Sequence, residues 1–337
     1  MSRDRTGRSP RTLRSLNRFA LATGALTVLS LTASGCVVVH GEREVVPAAT
    51  RSEAARALDD FTTAYNKADE EYDRSLDADR VAGPLADIDA AKLKAGHKNN
   101  PGGNPSHSPL TFTDAKFVIP EKAAWPRWFV ADTAANKGVK GSRWLLVFTR
   151  TSADDVWAVS YLTVLAAADV PKFETDEDGW AQPVTADDAA VTVEPGKLSQ
   201  AYAAYLKSGG DEFGPGTHTS QWRAQRKKFA SKPGLARQYI DEPLSSGEYA
   251  PVGLRTADGG ALVFFSTHRY EKQTAAAGTE IPAPTADVRA LTTGEIKQSL
   301  TLEFVSNQVA LDPAKGSGDP RVSVLGRIEG LTGAKGE

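Results

Sequence analysis

One cysteine and one methionine are the only sulfur-bearing residues in this chain of 337 residues. A lone thiol closes no disulfide within the chain, so every domain has to be held by its own apolar core. Long apolar runs are missing as well. The one sustained stretch, Phe19 to Ala33, is 15 residues and falls short of a permanent membrane-spanning helix. An excess of positive charge is absent, since 40 Lys and Arg stand against 42 Asp and Glu, and no basic stripe is long enough to track nucleic acid. Histidine is sparse: His40, His97, His107, His218 and His268 contain no HExxH and no close pair. The patterns GxSxG, SxxK, Walker and GxGxxG do not occur. These absences exclude a disulfide scaffold, a polytopic membrane protein and a nucleic-acid binder, and they remove the motif-bearing hydrolases and nucleotide enzymes.

What is present begins at the amino terminus. Arg3, Arg5, Arg8, Arg11, Arg14 and Arg18 oppose the single acid Asp4, and the apolar stretch follows directly. Such a basic-then-apolar leader is a secretory signal and takes no part in the fold. Asn17-Arg18 is no twin-arginine pair, so the general secretory route is expected. Ala33-Ser34-Gly35 places small side chains before Cys36, the only cysteine. This quartet resembles a bacterial lipobox. The resemblance implies acylation at Cys36, cleavage just before it, and a mature chain that begins with a lipidated cysteine. Ala33 departs from the leucine that is commoner at that position.

Without the leader the chain keeps 34 basic and 41 acidic residues, a mildly acidic balance. The expected division is a signal segment over 1–35, a tether over 36–50, a first α+β domain over 51–170, a linker over 171–192 and a second α+β domain over 193–337. Thr50-Arg51-Ser52-Glu53 has the spacing of a capping box. Behind it Leu58, Phe61, Tyr65, Ala68, Tyr72 and Leu76 recur in steps of three and four, which predicts an amphipathic helix over about 52–76. A second helix is expected over Leu85–Lys94, and 96–109, rich in Gly, Asn and Pro, reads as a mobile loop.

The period then changes to two. Leu110–Ile119, Arg127–Ala135, Arg143–Arg150 and Val156–Leu165 are expected to be antiparallel strands. The last two are apolar on both faces, so a second layer must cover the face that the helix leaves open. After the acidic, turn-rich stretch at 171–192 the order repeats. Helices are expected over Pro195–Lys207 and Ser220–Ala230, then strands over Tyr249–Thr256, Ala261–Glu271, Ser299–Leu311 and Arg321–Leu331. An Ala/Pro/Thr insert spans 274–293. A change of apolar parity within Ser299–Leu311 predicts a bulge near Val305-Ser306.

The fold class is therefore α+β, two tandem units of helices followed by an antiparallel sheet. This order resembles the NTF2-like and cystatin-like folds, in which a curved sheet wraps a long helix. From the lipobox through Pro126-Arg127-Trp128-Phe129, the chain also looks like the uncharacterised lipoproteins of actinobacteria that pair two such domains. That resemblance lends no site residues.

Glu174-Thr175-Asp176-Glu177-Asp178-Gly179 partly matches a calcium loop, but Thr185 stands where a bidentate Glu is needed, so an acidic surface turn is expected. Asp132, His268 and Glu303 are the only candidates for acid–base work in a sheet cavity. Trp125, Trp128, Trp144, Trp157 and Trp180 fit either a sheet core or a sugar platform, with Trp125 and Trp180 the exposed ones. Arg223, Arg226, Lys227, Lys228, Lys232 and Arg237 form a basic stretch, by default a solvated helix face and otherwise suited to anionic lipid or to the acidic helix of the first domain. The function expected is a membrane-anchored extracytoplasmic lipoprotein acting as a non-enzymatic binding or interaction module. It would be attached through lipid at Cys36, with an envelope protein or ligand as partner and no nucleic acid, cofactor or metal. The alternatives are a lipid or glycolipid carrier with an apolar cavity, and a cavity-type envelope hydrolase or isomerase.

Overall fold

The computed structural model describes residues 44–337, so the leader, Cys36 and most of the tether lie outside the described residues. In the first half the elements are β1 (Val46–Pro47), α1 (Arg51–Glu71), α2 (Gly83–Asn99), β2 (Phe112–Val118), β3 (Glu121–Lys122), β4 (Arg127–Ala135), β5 (Ser142–Arg150) and β6 (Ala158–Ala166). The second half adds β7 (Pro183–Val184), α3 (Leu198–Ser208), α4 (Ser220–Phe229), β8 (Ser231–Lys232), β9 (Leu235–Leu244), β10 (Val252–Arg255) and β11 (Ala261–Ala275). It closes with α5 (Ala286–Leu291), β12 (Thr292–Thr293), β13 (Ser299–Asp312) and β14 (Ser323–Gly336). The α+β class holds. Among the described residues no helix is long and apolar enough to cross a membrane.

Helix α1 starts where its capping box puts it: the Glu53 N–H donates to Thr50 Oγ1 at 3.1 Å, and the Thr50 N–H donates to Glu53 Oε2 at 2.8 Å. It ends before the expected limit, because Tyr72 turns left-handed at φ 52° and Leu76 belongs to a separate 3-10 turn capped by Asp73. Helix α2 is longer than expected and runs through Gly96. The Tyr72 ring fills the space that a Cβ at Gly96 would need, 2.4 Å from it, so only glycine permits this packing. The stretch expected to be a mobile loop is therefore partly helix, and its remainder is tied to Asp69 by Asn104 Nδ2 at 3.1 Å and His107 Nδ1 at 3.0 Å.

Strands β2-β4-β5-β6 form one antiparallel sheet. The second sheet runs β12-β14-β13-β11-β10-β7, with β9 pairing the far half of β11 and β8 pairing β9. Phe61, Phe129, Leu146 and Phe148 fill the core between α1 and the first sheet. On the opposite face Val130, Leu145, Val147 and Tyr161 meet Leu254, Leu262, Phe264 and Val309 of the second sheet. The two-faced strands are thus covered by the other sheet. A third core, around Tyr202, Tyr205 and Phe265, seats α3 on the outer face of the second sheet. The layers are helix, sheet, sheet, helix. Gly326 of β14 lets the sheets approach, since a Cβ there would lie 2.4 Å from Thr163 Oγ1.

Residues 171–192 are packed into the cores on both faces of the second sheet, Phe173 and Ala181 between the sheets and Val184 and Val191 on the α3 side. Ala181 is buried in the inter-sheet core and donates to the Ile119 carbonyl at 2.9 Å, while β7 pairs with β10. The end of the expected tether is also ordered, with β1 paired to β3 and Ala48 and Ala49 buried. Register breaks in β13 fall at Glu303/Phe304 and Val309/Ala310, on either side of the expected bulge. Strand β9 carries no apolar signal in the sequence. Its inward residues Arg237, Tyr239 and Asp241 meet charged partners instead of an apolar layer, so no apolar alternation marks it.

Candidate functional site

At one end of the sandwich the two sheets part and leave a cleft of about 580 Å3. Its walls come from the ends of β4, β5 and β6, from the segment before α2, and from the turn before β10. Trp128, Tyr161, Val156, Ala158, Ala250 and Val252 give it an apolar surface. Alternation along β4 sends Trp128 to this side and Phe129 to the helix side. The floor is held by Tyr161, whose hydroxyl donates to the carbonyls of Tyr249 at 2.9 Å and Ala250 at 3.2 Å. Burial pushes the Tyr161 phenol well above its ordinary range, so it stays a neutral donor. Arg150, Asp79, Asp155 and Glu248 supply the charge around the cleft. Asp155 accepts from Thr151 Oγ1, and hydrogen bonds from Thr151 and Ser152 hold its carboxyl below the usual range. A volume of this size with apolar walls and few polar groups suits a small amphiphilic molecule.

Behind the strand ends lies a second pocket of about 390 Å3, lined by Arg51, Arg127, Arg150, Glu53 and Trp180. Arg150 lines both. Arg127 and Arg150 stack on Trp125 at 4.9 and 5.1 Å, Arg150 also on Trp157 at 4.8 Å, and Arg51 on Trp180 at 5.1 Å. Trp128 and Trp157 are buried, whereas Trp125 and Trp180 are half-buried beneath arginines.

The expected acid–base residues do not assemble. Asp132 lies in the first sheet, where Arg143 Nε donates to it at 2.5 Å and Arg143 also reaches Asp114. His268 and Glu303 lie on β11 and β13 of the second sheet, 4.0 Å apart, with the Tyr270 ring tilted against the imidazole. The acidic turn spends Asp176 on the backbone N–H groups of Asp178 and Trp180. Among the described residues no group of three or more His, Cys, Asp or Glu is placed to hold a metal. The basic stretch divides. Arg226 pairs with Asp241 and Arg237 with Glu271, while Arg223 stacks on Tyr205. That pairing leaves Lys227, Lys228 and Lys232 on the exposed face.

One polar cluster was not legible beforehand. Asp77 and Asp89, on the 3-10 segment after α1 and on α2, are both buried, and an oxygen of each lacks a partner. Burial and the neighbouring Asp89 charge push Asp77 up to about 8, and burial raises Asp89 as well, so the pair gives up its last proton well above the ordinary carboxylate range. A pocket of about 340 Å3 lies over them, but the free oxygens are sealed from it. No spacing rule links positions 77 and 89, which meet only when α2 folds back.

A family model described as "Domain of unknown function (DUF8094)" matches residues 45–336. An "Uncharacterized lipoprotein" of Streptomyces avermitilis is 68% identical over 337 residues, the whole of both chains. An uncharacterised lipoprotein of Streptomyces coelicolor is 62% identical over the same 337 residues, again the whole of both. Another from that organism is 28% identical over 313 residues, 86% of this chain and 87% of its own length. No solved structure matches.

Proposed function

This chain belongs to the DUF8094 family, among lipoproteins of Streptomyces, and on that premise we propose that it is a membrane-anchored extracytoplasmic binding module without enzymatic activity, which takes a small amphiphile between its sheets. The observation that carries the reading is the cleft of about 580 Å3 lined by Trp128 and Tyr161. It offers an apolar body for a chain and a charged residue, Arg150, for a head. The inter-sheet core below it is filled, so the cleft is a bounded receptacle. Asp155, Glu248 and Tyr161 are engaged with a neighbouring hydroxyl or with the backbone and Arg150 is left as the group free to meet a ligand, which favours holding a ligand over transforming it.

Two outcomes test this. A photoreactive, uncharged monoacylglycerol added to envelope membranes carrying the lipoprotein is expected to label Pro126–Trp128, Val156–Tyr161 and Gly247–Val252. Val156 is 41% exposed, so Val156→Asp places a charge on the wall without disturbing the core. That variant is expected to lose about nine-tenths of the labelling, the effect of about 1.4 kcal/mol. Labelling spread over the surface, or unchanged in the variant, contradicts the cleft as receptacle.

For the anchor, Cys36→Ser is expected to abolish lipid attachment, releasing the protein into the medium or leaving an unprocessed precursor. Fractionation of the variant with membranes in fully processed form argues against lipidation at Cys36. Val46 follows Cys36 by ten residues, so the folded part begins within roughly 35 Å of the anchor.

A further inference from the structure

The pocket behind the strand ends gathers three guanidinium groups, from Arg51 at the start of α1, Arg127 at the start of β4 and Arg150 at the end of β5. Among the described residues none of the three lies within ion-pair distance of a carboxylate. The contrast with other inward-facing arginines is sharp: Arg143 pairs with Asp132, Arg226 with Asp241, Arg255 with Asp188 and Arg269 with Glu329. Those four guanidiniums are neutralised, whereas the half-buried Arg127 and Arg150 are not. The Nε atoms of Arg127 and Arg150 are buried and have no acceptor. The one acid lining the pocket, Glu53, is turned to the Thr50 N–H and hydroxyl, both at 2.8 Å. Those hydrogen bonds from Thr50 hold its carboxyl below the usual range.

The guanidinium carbons lie over the Trp125, Trp157 and Trp180 rings at 4.8 to 5.1 Å, contacts that hold the groups in place without neutralising their charge. Apart from Arg127 Nη1, which donates to the Pro47 carbonyl at 3.5 Å, their N–H donors have no acceptor among the described residues, and a tetrahedral oxyanion takes two from one guanidinium at once. We infer that Arg51, Arg127 and Arg150 form a binding site for a phosphate group, and that the amphiphile of the cleft is a phospholipid whose phosphate rests there. The inference rests on the cleft reading for its acyl part and on the arginine cluster for its head. Arg150 joins the two, because it lines both spaces.

The test uses the full lipoprotein in a neutral maltoside detergent, which competes equally with every lipid probe. Affinities are measured for a monoacylglycerol, for the same molecule carrying a phosphate on its glycerol, and for inorganic phosphate. The phosphorylated probe is expected to bind about tenfold tighter or more, as a charge-assisted pair in a partly desolvated pocket provides. Arg150→Gln is expected to bring it to the level of the monoacylglycerol. Arg51 is exposed, so Arg51→Gln leaves the fold intact and is expected to cost part of the difference, about threefold. Val156→Asp is expected to weaken both lipid probes alike. Equal affinity for the two lipids, or a ratio unmoved by both arginine variants, overturns the phosphate site and leaves the cleft standing. If inorganic phosphate binds as tightly as the phosphorylated lipid, the anion site stands and the lipid source is overturned. If neither lipid nor phosphate binds, both readings fall.

Discussion

Between about pH 4 and pH 8 this protein is expected to lose stability, and Asp77→Asn is expected to remove much of that loss. Asp77 is 1% exposed, and its carboxyl is pushed from 3.8 up to about 8 by burial and by the facing Asp89. In that window the unfolded chain has released the proton that the folded chain retains, so folding binds a proton and becomes less favourable as pH rises. The slope is about 1.4 kcal/mol per pH unit for one retained proton. The stability is full below the unfolded value, falls through the window and levels off above about 8. Asp312 adds a loss of the same sign, because burial raises it to about 7 although it accepts the N–H groups of Thr192 and Val193. In the opposite direction Asp69 is held below its ordinary value, since Lys92 and His107 outweigh its burial, and its contribution disappears only in stronger acid. Asparagine at position 77 is neutral and can donate to Asp89 at every pH. Urea midpoints measured from pH 4 to pH 9 should therefore coincide for the two proteins in acid and diverge by several kcal/mol at pH 8, with the variant the more stable. A wild-type midpoint that rises across this range contradicts a retained proton.

Phe61→Ala is expected to cost about 3–5 kcal/mol, the range for truncating a fully buried aromatic. Phe61 is 1% exposed, stacks on Tyr65 at a centroid distance of 5.2 Å and meets Phe148 edge-on at 6.0 Å. Phe148 in turn lies flat on Phe129 at 4.8 Å, so the ring on α1 is the contact that joins the helix to the middle of the first sheet. Its removal leaves a cavity that a rigid helix on two β strands fills only in part. Thermal melting reads the loss, and Val139→Ala, at a residue 79% exposed, is the matched surface control with little change. Equal melting of the two variants would show that α1 is not anchored through Phe61.

Much of this architecture was legible because its signals are local. Thr50 and Glu53 are three residues apart, and a helix places them within one capping turn. Leu58 and Phe61 recur at the helical period, and Trp144 to Phe148 alternate at the strand period. The absence of any polar face on β5 required a covering layer before its identity was known. Element ends were less legible. Tyr72 stops α1 because its ring packs over Gly96, a contact across 24 positions that no period within α1 encodes.

By itself, then, the sequence determined the helices and strands whose buried faces are apolar, their order, and the resemblance to a lipidation signal at Cys36. Each of these depends on neighbours within a few residues. Only the tertiary structure decided what covers the first sheet, why β9 exists, and which charged groups meet. Strand β9 pairs with β11 along its length and covers its inner face with the Arg226–Asp241 and Arg237–Glu271 pairs, and charge pairs leave no periodic trace in a sequence. The burial of Asp77 beside Asp89 and the convergence of Arg51, Arg127 and Arg150 arise from chain closure over distances that hydrophobic periodicity does not span. An ionisable side chain takes its chemistry from whatever folding brings beside it, so the same residues were ordinary surface charges until the sheets closed.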